Sequence, residues 1–185
     1  YKRQTIHIMS NLIHQRGLYQ KQVLSRKIQI PFHQLDSDLD TLFIEYAQKH
    51  ITNQCEKEGY ISDHSIQVVS YSAGKTFSSY VHFDVMFEFM ISFPYEDMTF
   101  QCKIQSITKI GIKGILSHDE RQNPFVVFAS YLHNPTIFEN DQYSNNDAIS
   151  KYSIGDVINV RVLGHRFEIH DPSIYVLAEI IEKRN

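Results

Sequence analysis

The stretch SYVHFDVMFEFMISF, residues 79–93, changes polarity at nearly every step. Val81, Phe83, Val85, Phe87, Phe89 and Ile91 share one side, and Tyr80, His82, Asp84, Met86 and Glu88 share the other. A period of two over that length fits an extended strand with one apolar face and does not fit a helix. Whatever this chain folds into must therefore supply a cover for five or six large side chains on one face of a long strand.

The cover is legible upstream. Asp36, Ser37 and Asp38 offer capping oxygens and negative charge where a helix begins. Leu39, Leu42, Phe43, Tyr46, Ala47 and Ile51 follow at helical spacing, and Gly59 stands where a C-terminal glycine ends a helix. The spacing predicts a helix over about 37–57. KIQIPF (27–32) reads as a short strand confined to an edge by Pro31, SIQVVSY (65–71) as a strand, and AGK (73–75) as a turn. A helix lying on an antiparallel sheet is an α+β layer.

Pro94, Tyr95, Glu96 and Asp97 break the alternation, and a new one starts at Phe100. In QCKIQSITKIGIKGIL (101–116), Cys102, Ile104, Ile110 and Ile112 read as core-facing, while Lys103, Gln105, Lys109 and Lys113 read as outward. Gly111 and Gly114 permit sharp coiling. Five strands are expected, at about 99–107, 109–116, 124–130, 155–168 and 173–182. The Asn-rich connection 134–154 falls between the third and fourth strands and is expected to be mobile at its middle. Five short strands with a long third connection suit a Greek-key OB barrel. The division drawn is a basic arm at 1–16, a helix-on-sheet domain at 17–95 and an all-β barrel at 96–185. No function is assigned to residues 1–8, ahead of Met9.

Charge adds to this picture. The chain's net charge is −3, which argues against a surface that grips nucleic acid all over. Yet residues 1–27 carry Lys2, Arg3, Arg16, Lys21, Arg26 and Lys27 with no acid, and 98–116 carry three lysines with no acid. Cys55 and Cys102 sit in unrelated contexts and read as reduced core thiols. No apolar run reaches the roughly 20 residues of a membrane span, and the start lacks the apolar core of a signal peptide. A soluble, intracellular protein is expected.

Nothing reads as catalytic. There is no glycine-rich phosphate loop. Ten histidines include no metal-binding spacing, and the Asp119–Glu120 pair sits beside Arg121 in an apparent turn. No Ser or Cys occupies a strand-to-helix elbow. No cofactor and no metal are expected. Binding reads better: Lys103, Lys109, Lys113, Arg161 and Arg166 fall on outward faces if Ile104, Ile112, Val160, Val162 and Phe167 point inward. Phosphates would pair with these cations, and Phe125, Tyr131 and His133 would offer stacking surfaces. Weak RNA binding that ignores sequence is expected. In the first half, Tyr60, Ile61, Tyr71, Phe77 and Tyr80 fall near apparent loop tips, as a docking surface would.

A resemblance covers roughly residues 18–182. The stretch EGYISDHSIQVVSY…GKTFSSYVHFDVMFEFMISFPYEDMTFQCKIQSITKIGIKGIL resembles the seventh-subunit family of multisubunit DNA-directed RNA polymerases, the stalk subunit called E prime in archaea. PFVVFASYLHNP (124–135) is similar to that family's third barrel strand and its exit. GDVINVRVLGHRFEIHDPSIYVLAEI (155–180) is similar to its last hairpin, nearest the versions of large cytoplasmic DNA viruses. The resemblance implies an α+β tip domain followed by an S1-like OB-fold barrel in a non-catalytic polymerase subunit. The tip would dock on the core near the clamp, through the largest subunits, beside a small fourth-subunit-like partner. The barrel would meet nascent single-stranded RNA and support initiation. Regions Lys57–Ser65 and Ser72–Ser79 match the tip loops, so the docking set becomes Gly59, Tyr60, Ile61, Lys75, Phe77 and Tyr80. The viral form implies residence in the host cytoplasm and the virion. Two departures are PYEDMT in place of interdomain glycines, and the unmatched segments 134–154 and 1–16. The rival expectation, from another class, is a free-standing OB/S1-like RNA-binding factor of translation or RNA decay.

Overall fold

The computed structural model describes residues 18–35, 38–116, 123–135 and 152–181. The expected basic arm, the Asp119–Glu120 pair and the middle of the 134–154 connection lie outside the described residues. Among those described, the chain is mostly β, with one α-helix and one closed five-stranded barrel.

The first half is a sheet built around the strand that the alternation marked. Strands β1 (Tyr19–Pro31), β2 (Gln54–Glu56), β3 (Gly59–Tyr71), β4 (Lys75–Phe77) and β5 (Tyr80–Ser92) pair in the order β1-β5-β3-β2, with β4 on β5 beyond the end of β3. All the pairs are antiparallel. Val81, Phe83, Val85, Phe87, Phe89 and Ile91 are buried, as the period of two requires. Helix α1 (Leu39–His50) covers them with Phe43 and Ala47, and Ile51 follows at its end. Phe43 meets Phe83 and Tyr71 edge-on, at 5.1 Å between ring centroids in each case.

Three expectations about this half are corrected. The helix begins as read, with the Asp38 carboxylate accepting from the Thr41 N–H at 3.2 Å and from its hydroxyl at 2.8 Å. It stops at His50 and does not run on to 57. Thr52 turns its hydroxyl back onto the Gln48 carbonyl, and Asn53 takes a left-handed φ of 60°. That frees residues 54–61 to form the β2–β3 hairpin. Gly59 therefore ends no helix. It opens β3 at φ 125°, where a Cβ would lie 2.6 Å from the Ser92 carbonyl oxygen. The edge strand also starts at Tyr19, well before Lys27, because β1 follows β5 along its whole length.

The second half closes on itself. Strands β6 (Thr99–Thr108), β7 (Gly111–Leu116), β8 (Phe125–Ser130), β9 (Val157–Arg166) and β10 (Ile174–Ile181) run β10-β8-β7-β6-β9, with β9 returning to β10. Strands β8 and β10 are parallel and every other pair is antiparallel, an order consistent with an OB-like barrel. Alternate residues fill the interior, among them Phe100, Ile104, Ile112, Leu116, Val127, Val160, Val162 and Val176. Gly114 lets β7 press onto β6, since a Cβ there would stand 2.2 Å from Cys102 Sγ. Ile110 is not core: it sits in the β6–β7 turn and is exposed, because β7 begins at Gly111 and not at 109.

The two halves share packing. The barrel's apolar cluster takes in Leu18, Cys55 and Tyr60 from ahead of the expected boundary, along with Met98 from just after it. Backbone bonds reinforce the join. Cys55 donates its N–H to the Asp171 carbonyl and accepts from the His170 N–H, both at 2.8 Å. Strand β2 thus reaches the β9–β10 turn while also pairing with β3.

Candidate nucleic-acid interface

The barrel's outer face is ordered by its register. One row of outward residues runs Lys103, Ile115, Val126, Tyr175 and Arg166 across β6, β7, β8, β10 and β9. The next row runs Ser106, Lys113, Phe128, Leu177 and Gly164. Between them lies a groove of about 590 Å³ lined by Lys113, Val126, Phe128, Gly164, Arg166 and Tyr175, among others. Its floor is apolar, and a cation stands at each end.

A bulge creates this arrangement. Strict alternation would place Arg161 and Arg166 on opposite faces of β9. The β9–β10 register shifts where Gly164 faces Leu177 and Val162 faces Ala178, so Leu163 is an extra residue. After it, Gly164 and Arg166 pair with outward Leu177 and Tyr175.

The expected RNA-binding residues fall into four places. Lys113 and Arg166 flank the groove, with Lys103 farther along the first row. Lys109, Tyr131 and His133 gather at one end of the barrel, where the Tyr131 N–H donates to the Ile110 carbonyl at 3.0 Å. Arg161 lies apart, ion-paired with Glu179, whose hydrogen bond holds the guanidinium more firmly protonated than usual. Phe125 offers no stacking surface: it is 0% exposed and packs on Phe100 at 5.3 Å. Phe125 shares the inward parity of Val127 and Ala129, and that is the physical reason.

Sequence reasoning missed Tyr175 and Phe128, which provide the groove's aromatic surface. The signal was present: each occupies the opposite parity from buried neighbours, Ile174 and Val176 for one, Val127 and Ala129 for the other. Beside the groove, His165 meets Phe93 at 4.7 Å and Phe167 at 6.2 Å, so aromatic surface continues towards the first half.

The expected docking set also divides. Gly59, Tyr60 and Ile61 are buried within β3, not displayed on a loop, because the shortened helix leaves them to the sheet and the barrel core. Lys75, Phe77 and Tyr80 are exposed at the far end of the sheet, Phe77 at 74%. Phe77 pairs with Tyr80 across the β4–β5 hairpin, and Tyr80 pairs with Pro31 of β1. Exposed Phe32 follows directly, its N–H bonded to the Ser79 carbonyl at 3.0 Å. Three exposed aromatic side chains thus gather at one tip.

Among the described residues no cluster of His, Cys, Asp or Glu is placed to hold a metal ion, and no helix is long and apolar enough to cross a membrane. Burial pushes both the Cys55 and Cys102 thiols up to about 12, with Asp171 and Glu56 adding to the effect at Cys55. Compared with models of known families and with curated proteins, the chain matches none.

Proposed function

We propose that this chain is a non-catalytic stalk subunit of a multisubunit DNA-directed RNA polymerase, an S1-like OB barrel carried on a helix-backed docking sheet. The observation that carries the reading is the coupling of two exposed surfaces on opposite parts of one body. Aromatic Phe77 and Tyr80, with Lys75, project from the sheet's distal hairpin. A cation-flanked groove lies on the barrel. Strand β5 spans roughly 40 Å between its ends at about 3.3 Å per residue, which gives a docking tip a reach away from the barrel.

In this reading the tip enters an apolar recess of the polymerase core near the clamp. Exposed aromatic residues are the side chains that dominate such contacts once desolvated. The barrel then holds emerging single-stranded RNA through phosphates at Lys113 and Arg166. A fourth-subunit-like partner and a viral, intracellular setting belong to the same proposal.

Affinity capture of the tagged chain from the cells that make it tests the reading. Polymerase large subunits should co-purify in stoichiometric amount, and Phe77→Ser with Tyr80→Ser should release them while leaving the fold intact. Recovery of RNA with no polymerase subunit would replace this reading with the free-standing RNA-binding factor. Excision of residues 17–95 is the poorer experiment, because it removes Leu18, Cys55 and Tyr60 from the barrel's own core.

A further inference from the structure

We infer that the groove between β7 and β9 is a base-stacking subsite: it holds the nucleobases of a single strand, not its phosphates alone. The inference rests on the RNA-contact half of the reading above and deepens it.

The groove crosses β7, β8, β10 and β9, three inter-strand steps of about 4.8 Å, so its ends lie roughly 14 Å apart. Lys113 marks one end and Arg166 the other, with Val126, Phe128, Tyr175 and Leu177 between them. A ligand that fits must present flat apolar surface over that distance and negative charge at both ends. A run of stacked bases with phosphates at intervals does so. A single acidic side chain spans too little of it.

Three features equip the groove for bases. Tyr175 is 53% exposed although its neighbours Ile174 and Val176 are buried, so its ring is available on the outer face. Gly164 leaves the floor open: a Cβ there would meet nothing within 4 Å. The cations are also free to exchange partners. Among the described residues Arg166 is held only by Glu168, at 3.3 Å with both side chains well exposed, a pair that contributes little in water and yields readily to a phosphate. Lys113 makes no ion pair among the described residues.

The test compares a short oligouridylate with an abasic oligomer of equal length, titrated against the full-length chain by fluorescence anisotropy. The two ligands share phosphates and differ in bases. Wild type should bind the oligouridylate at least about tenfold more tightly, within the range that stacking supports. Gly164→Leu fills the groove without touching either cation and should bring oligouridylate affinity down to the abasic level. Tyr175→Ala should do the same in greater part, and thermal melts confirm that both variants are folded. Equal affinity of wild type for the two oligomers would overturn the base subsite and leave phosphate binding standing. Failure to bind either oligomer at low salt would sink the RNA reading as well. If Gly164→Leu and Tyr175→Ala keep the preference for oligouridylate but lose a protein partner, the groove is a peptide site and the inference is wrong.

Discussion

The side-chain carbonyl of Asn134 accepts the backbone N–H of Ile180 at 2.7 Å, deep inside the barrel wall. Its amide donates to the carbonyls of Ser130 at 2.9 Å and Ala178 at 3.3 Å. Asn134 is 2% exposed, so one side chain stands in for the ladder that β8 stops supplying to β10. Asn134→Ala leaves a buried N–H unpaired and should cost about 2–4 kcal/mol. Asn134→Asp keeps the acceptor but turns a buried negative charge onto two carbonyls, and should cost no less. Urea unfolding followed by circular dichroism measures both.

Gly114 and Cys102 occupy nearly the same space. An added Cβ would meet Cys102 Sγ at 2.2 Å and the Lys103 carbonyl oxygen at 2.8 Å. Gly114→Ala should therefore destabilise the barrel by about 2–3 kcal/mol. Adding Cys102→Ala removes the first clash and keeps the second, so the double variant should recover part of the loss. Perfect additivity in that cycle would mean that the sulfur is not the obstacle.

Both thiols should be inert in the native state at pH 8 and react with a thiol reagent only on unfolding, because burial raises each to about 12. The sign of the pH effect follows. The unfolded thiols lose protons near their ordinary value of 9.0 while the folded ones hold them, so the unfolded chain binds fewer protons above that pH. Stability from this source is complete below pH 9 and declines as pH rises from 9 towards 12. Replacing Cys102 with Ala should flatten that decline in pH-dependent denaturation.

The outward cations should not be equivalent. Lys113→Glu should weaken RNA binding for every sequence alike and flatten the salt slope by about 0.7 for each phosphate that the chain no longer neutralises. Arg161→Gln should change neither, since Glu179 already holds that guanidinium away from the groove. Filter binding across a salt series separates the two outcomes.

The sequence displayed the fold unevenly, for physical reasons. Strand β5 was readable nearly to the residue because it is covered on one face by a helix and packs with large aromatics. The front of β1 was not: Gln20, Lys21, Gln22 and Ser25 belong to an edge strand with little to bury, and their composition resembles a loop. The helical spacing outruns the helix because Ile51 sits in phase with Phe43 and Ala47, while the true stop is a side-chain and backbone event at Thr52 and Asn53. In the candidate site, Lys113 and Arg166 were found by charge. Phe125 has the aromatic ring of a stacking residue but the parity of buried Val127 and Ala129, and parity decides. The bulge at Leu163, which brings Gly164 to the groove floor, leaves no mark on the hydrophobic pattern.

Tyr60 and Cys55 belong by sequence to the sheet and by packing to the barrel, and this has a mechanical consequence. Sheet and barrel share this packing, so a load applied at Phe77 would pass between them through it. It runs down β5 into Ser92, whose hydroxyl is bonded to the Leu18 carbonyl at 2.7 Å, and from Leu18 and Tyr60 straight into the barrel wall. With the hairpin held as proposed, a small tilt there would become a wide arc at the groove, because Leu18, Cys55 and Tyr60 tie the sheet to the barrel.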